Sequence, residues 1–128
     1  MRGIARAFFA TALVYGLLGL LLGIHMAIGQ DHAQLPTHAH IMVIGWLSFA
    51  VFGFFYHFFG QAVPQLLASL HFWLAQASFA IIVVGLWLFF SGRTEFEPLA
   101  AVGAIGYAAS FALFAVGAYL ALRAPSAS

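Results

Sequence analysis

Four long apolar runs, at about Ala7 to Ile28, Ile41 to Phe59, Leu66 to Phe90 and Leu99 to Leu122, leave this chain few folds to choose from. Each is close to the roughly 20 helical residues needed to cross a hydrocarbon core. Lipid offers no water to backbone N–H and C=O groups, so a spanning segment is either a helix or a strand of a closed barrel. None of the runs alternates with the two-residue period of a barrel strand. The expected fold is therefore all-α, an integral membrane four-helix bundle forming one domain over residues 1–128. Its helices should lie at about 7–28, 38–60, 66–90 and 98–122. Four Lys/Arg and three Asp/Glu are too few to coat a soluble domain.

The connections are short. Gly29 to Pro36 makes a polar loop, Gly60 to Gln65 a turn, and Ser91 to Pro98 closes the third helix and starts the fourth. Short links make sequence neighbours pack as antiparallel pairs. Arg2, Arg6 and Arg123 place both termini in the cytoplasm by the positive-inside rule. Asp31, Glu95 and Glu97 then fall outside, with Arg93 the one contrary charge. The first run is longer than a secretory signal core, and Ile24-His25-Met26-Ala27 is a poor cleavage site. With no cysteine, disulfides, thiolate ligands and iron–sulfur clusters are excluded. A net charge of +1 gives nucleic acid nothing to bind, and membrane lipid is the expected surrounding. The tail after Arg123 is too polar and too short to fold alone.

Six histidines are many for so apolar a chain. His38 and His40 stand where the second span enters the bilayer, and imidazoles at that depth are costly unless used. At a helical step of about 100° per residue, positions two apart diverge by about 200°. His38 and His40 therefore cannot reach one metal together; each opens to a different groove and needs a partner from elsewhere. Haem requires one or two axial ligands and structural zinc four, so paired half-sites favour haem. Gly45, Trp46 and Phe49 follow on the same span and could line a cofactor slot. Met26 and Met42 are secondary candidates for an axial position, more often filler than ligand.

The other histidines suit interfacial roles. His32 lies in the loop, and His25, near the outer end of the first helix, is a weaker ligand candidate. His57 and His71 lie about 25 Å from His40 at 1.5 Å per residue. They are expected to hydrogen-bond to one another across the short turn. Gly19, Gly23, Gly45, Gly53 and Gly60 suit close helix approach, which a flat macrocycle would also need.

The stretch from His38 to Tyr56 (HAHIMVIGWLSFAVFGFFY) resembles the tenth helix of the catalytic subunit of haem-copper oxidases, above all the C-family oxidases and nitric oxide reductases. It carries His-x-His, then Gly45-Trp46, then an aromatic run through Phe52-Gly53 to Tyr56. Leu70-His71-Phe72-Trp73-Leu74 is similar to the opening of the next helix of that family. The resemblance covers roughly His38 to Leu88, and the outer helices only in character. It implies that the first histidine binds a high-spin haem and the second a low-spin haem, so that His38 and His40 are axial ligands in separate grooves.

The departures matter equally. The family subunit has three arcs of four helices and this chain has one. No other stretch offers a His-His pair for the active-site copper, and no Asp, Glu or Lys lies within a span to relay protons. The implied assembly is a symmetric homo-oligomer in which each copy supplies one arc. A homotrimer would mimic the large subunit, and a homodimer is the alternative. The implied function is a b-type haem protein of a bacterial inner membrane, for electron transfer with an unknown donor and acceptor or for O2 or NO chemistry. A non-catalytic haem or copper accessory protein for a respiratory complex is the competing function. Whether the chain is an enzyme stays open.

Overall fold

The computed structural model describes residues 1–124. Among them four helices are long and apolar enough to cross a membrane: Gly3–Gly29, Leu35–Ala62, Gln65–Phe90 and Thr94–Arg123. The chain is an all-α, multi-pass membrane protein. At 1.5 Å per residue the 26-residue third span is about 39 Å long, more than the ~30 Å of hydrocarbon. The helices therefore overrun the apolar runs. The first begins at Gly3 and the second at Leu35, ahead of the expected starts near 7 and 38, because polar residues and Pro36 fit comfortably in a first turn outside the hydrocarbon. The expected tail beyond Ala124 lies outside the described residues.

The first span is one helix, α1 (Gly3–Gly29). The second is not uniform. It starts as α2 (Leu35–His40), widens into a π-helical segment over Ile41–Ser48, and resumes as α3 (Phe49–Phe59) before a single 3-10 turn at Gly60–Ala62. The third and fourth spans are α4 (Gln65–Phe90) and α5 (Glu97–Arg123), the latter entered through a 3-10 turn at Thr94–Phe96.

Two antiparallel hairpins make up the bundle, α1 against the second span and α4 against α5. Met1, the turn at Val63-Pro64 and Arg123 share one end, here the terminal end; the other two loops share the opposite, loop end. Gly92 closes α4 with φ +93°, a left-handed value that a side chain would strain. Its N–H donates to the Phe89 carbonyl at 3.1 Å and that of Arg93 to the Leu88 carbonyl at 3.0 Å, which satisfies two of the helix's last acceptors.

Within lipid, helices gain little from hydrophobic burial and join through close packing of small residues. The buried residues of α5 are Gly103, Ser110 and Gly117, seven apart in sequence and so on one stripe. A Cβ on Gly103 would stand 2.7 Å from the backbone nitrogen of Ile82, so α4 and α5 touch main chain to main chain. The hairpins meet through aromatic rings. Phe8 of α1 is fully buried, with ring centroids 5.4 Å from both Phe49 and Phe52 and 4.9 Å from Phe72. Tyr15 donates to Gln76 Oε1 at 2.6 Å, and Gln76 Nε2 donates to Thr11 Oγ1 at 2.8 Å, so α1 and α4 are also joined by a polar contact within the bundle.

Candidate functional site

His38 and His40 belong to the short first turn and a half of the second span, and the loop end holds that turn in place. The Thr37 side chain is fully buried and donates to Gln34 Oε1 at 2.7 Å. Gln34 Nε2 reaches across to the Trp87 carbonyl at 3.1 Å and Ser91 Oγ at 3.0 Å. The start of the second span is thereby tied to the end of α4.

From that base the two imidazoles part. His38 turns to α1, where its Nδ1 lies 2.9 Å from the Gly19 carbonyl. A carbonyl only accepts, so Nδ1 carries the proton and Nε2 keeps its lone pair. The ring lies over Gly23, where a Cβ would come within 3.0 Å of His38 Cε1. Met42 takes the next place along the notch: a Cβ on Gly19 would meet its Sδ at 2.6 Å. His38 is half-buried.

His40 faces the other way and is exposed. Its Nδ1 lies 2.8 Å from the Pro36 carbonyl, which sets the same tautomer and leaves Nε2 free. It stands at one edge of an open groove of about 410 Å³ between the second span and the α4–α5 hairpin, floored by Ala100, Ala101 and Ala104 and walled by Phe89, with Glu97 and Tyr107 as its other polar groups. Imidazoles that bind metal nearly always donate their second N–H to a carbonyl or carboxylate, which fixes the ring and raises its basicity. Both histidines have that arrangement.

Of the three other expected lining residues, only Trp46 borders an open groove, one of about 420 Å³ shared with Leu13, Leu17, Leu20 and Met42 along α1. Gly45 and Phe49 are packed into the chain's own core. A Cβ on Gly45 would stand 2.6 Å from the Phe79 ring, and Phe49 is fully buried, 5.5 Å from Phe79 between ring centroids. Gly45 and Phe49, four residues apart, share the buried face that Phe52 and Tyr56 continue, and Trp46 is turned about 100° from Gly45. Between the histidine turn and this face the span widens into its π-helical segment, where Ser48 Oγ donates five residues back to the Val43 carbonyl at 2.8 Å.

His25 stands apart, in a small hollow of about 220 Å³ at the loop end with Met26, Asp31 and Trp87. His32 is exposed in the loop. Among the described residues no three or more of His, Asp and Glu gather closely enough to hold a metal ion. A closed four-ligand site is therefore not built by one copy, whereas two separately held imidazoles suit the axial positions of haem.

The chain matches no family model, no curated protein and no solved structure.

The expected pairing of His57 with His71 is not what the fold makes. His57 is exposed at the terminal end, its ring tilted at 54° beside that of Phe58. His71 is fully buried, and its Nδ1 lies 2.9 Å from the hydroxyl of Tyr56. Tyr56 continues the buried stripe of Phe49 and Phe52, while His57, one residue on, is turned about 100° away from it. Nε2 of His71 is, among the described residues, the one buried side-chain polar atom without a partner. Leaving such a group unpaired costs about 1–3 kcal/mol.

Proposed function

We propose that this chain holds haem b through His38 and His40, as two half-sites on opposite sides of the second span. The observation that carries the proposal is shared by both rings: Nδ1 is committed to a backbone carbonyl, and Nε2 is left for a metal. Because the rings diverge, each haem takes His38 from one copy and His40 from the next, in a homotrimer or, alternatively, a homodimer. The His-x-His to Gly45-Trp46 pattern that resembles haem-copper oxidases points the same way. The membrane is then a bacterial inner membrane, with both termini cytoplasmic and the histidines near the outer face.

When bound, the haem would supply one-electron chemistry or, with an open position, O2 or NO binding. The chain's own residues do the positioning. Gly19 and Pro36 lend carbonyls that hold the rings, Gly23 clears space for one ring, and the Gln34–Trp87 contact fixes the turn that carries both.

The exposure of His40 favours a second function: an accessory protein whose haem or copper exchanges with a larger respiratory complex. Reconstitution with haem in lipid nanodiscs separates the two. The expected result is a stable reduced-minus-oxidised spectrum of a low-spin b haem, unmoved by carbon monoxide, and lost in His38→Ala and His40→Ala but not in His57→Ala. Haem that washes out within a gel-filtration run supports the accessory function. Haem retained by both alanine variants overturns ligation by this pair.

A further inference from the structure

We infer that the seam between α1 and the second span holds a phospholipid of net negative charge. Its phosphate sits at the terminal end, and one acyl chain runs along the seam toward the middle of the bilayer. The site does not depend on haem.

The charged side chains are sorted by end. Arg2, Arg6 and Arg123 stand at the terminal end, whereas Asp31, Glu95 and Glu97 all stand at the loop end. The 26 residues of α4 put about 39 Å between the two ends, too far for an ion pair. Arg93, the remaining arginine, has Glu95 beside it at 3.3 Å. Among the described residues the terminal end therefore carries cationic side chains and no carboxylate side chain. The positive-inside rule turns that end to the cytoplasmic leaflet, whose surface is made negative by anionic lipids.

Arg2 also belongs to a cavity. It walls a space of about 290 Å³ together with Ala5 of α1 and with His57 and Gln61 from the end of the second span. Guanidinium, imidazole and carboxamide can all donate N–H bonds. No carboxylate lies on the wall to compete for them. A phosphodiester, with two charged oxygens, accepts from such a set, and a guanidinium can hold both oxygens at once. A zwitterionic headgroup would also bring an ammonium, for which the wall has no anion. The chemistry selects a headgroup whose phosphate charge is not cancelled.

The acyl chain has a track to follow. Arg2, Phe9, Leu13 and Leu20 succeed one another at spacings of seven, four and seven, so they lie along one side of α1. Phe9 meets Phe54 of α3 edge to face, with centroids 5.1 Å apart, and Phe54 lies three residues deeper than His57. Past that pair, Leu13 opens the groove of about 420 Å³ that Trp46 also borders. Arg2 and Leu13 are eleven residues apart, about 16 Å along the helix. One leaflet supplies about 15 Å of hydrocarbon, half of the ~30 Å core. A chain hung from a phosphate at Arg2 thus reaches the mouth of the groove. Cavity, aromatic pair and groove form one continuous seat for a lipid.

The test is native mass spectrometry of the full chain in detergent, titrated with dioleoyl-phosphatidylglycerol and with dioleoyl-phosphatidylcholine. The expected result is one phosphatidylglycerol per chain, bound about tenfold more tightly than phosphatidylcholine. Arg2→Gln, an exposed change, should remove that preference, since tenfold is the low end for a hydrogen bond to a charged group. Arg123→Gln is the control: this arginine lies over the Tyr119 ring at 5.0 Å on α5, outside the cavity, and its loss should leave the preference intact. Dihexanoyl-phosphatidylglycerol, with the same headgroup and chains too short to pass Phe9, should bind about tenfold more weakly than the dioleoyl lipid. Equal affinity for the two dioleoyl lipids overturns the proposal. Equal loss in Arg2→Gln and Arg123→Gln overturns it in favour of diffuse surface charge. Inorganic phosphate or the dihexanoyl lipid binding as tightly as the dioleoyl lipid also overturns it, because the seam would then hold no chain.

Discussion

Replacing Gly23 by alanine tests whether the α1 notch positions His38. The added Cβ would stand 3.0 Å from His38 Cε1 and 3.4 Å from Nδ1, where carbon contacts ordinarily settle near 3.5–4.0 Å. The ring must move off by about half an ångström. The 2.9 Å bond to the Gly19 carbonyl then stretches to about 3.4 Å, beyond the range of a good N–H···O bond. Losing it costs about 0.5–1.5 kcal/mol. The helix itself is unharmed, since alanine is the better helix former. Haem affinity should fall about tenfold, at the low end of what outer-shell changes do to metal sites. Spectrophotometric haem titration of the nanodisc protein measures this, with Gly29→Ala as the control because a Cβ there meets nothing within 4 Å. If His38→Ala abolishes binding but Gly23→Ala binds as tightly as wild type, the notch does not position the ring.

Two other outcomes concern stability. Tyr56→Phe alone leaves His71 with both nitrogens unpaired and should cost about 1–3 kcal/mol, whereas Tyr56→Phe with His71→Phe removes the buried polar pair and should be near neutral or stabilising, as thermal unfolding in detergent will show. Gly103→Leu drives a side chain into the Ile82 backbone and should cost about 1–3 kcal/mol or more by overpacking; a melting temperature equal to wild type would mean that α4 and α5 are not held by that contact.

The four spans were legible because lipid imposes one rule on every backbone group, and length and apolarity then suffice. The divergence of His38 and His40 was legible too, since two residues of helix determine it. The Tyr56–His71 contact was missed although a signal existed. Tyr56 precedes the turn at Val63-Pro64 by as many residues as His71 follows it, so an antiparallel pairing puts them at one height. Adjacency of residue type drew attention to His57 instead, which the Phe49–Phe52–Tyr56 stripe turns away from the core. Gly45 and Phe49 fall with Phe52 and Tyr56 on one face at 100° per residue, so their burial had a signal that the cofactor-slot reading passed over, whereas the π-helical stretch had none, because no residue type announces one. The Gly103–Ser110–Gly117 stripe was readable as a seven-residue repeat, hidden among the many other small residues of α5.

The π-helical stretch has a mechanical consequence. It sits between the histidine turn above and the aromatic core below, like a loose collar on a shaft. Were the collar to tighten to an ordinary helix with every residue kept, the register would slip by about one residue and swing both imidazoles about 100° around the axis while the rings beneath stayed put. His38 would leave its glycine notch and His40 its groove in a single step. The aim of both ligands is thus governed by eight residues that touch neither ring nitrogen.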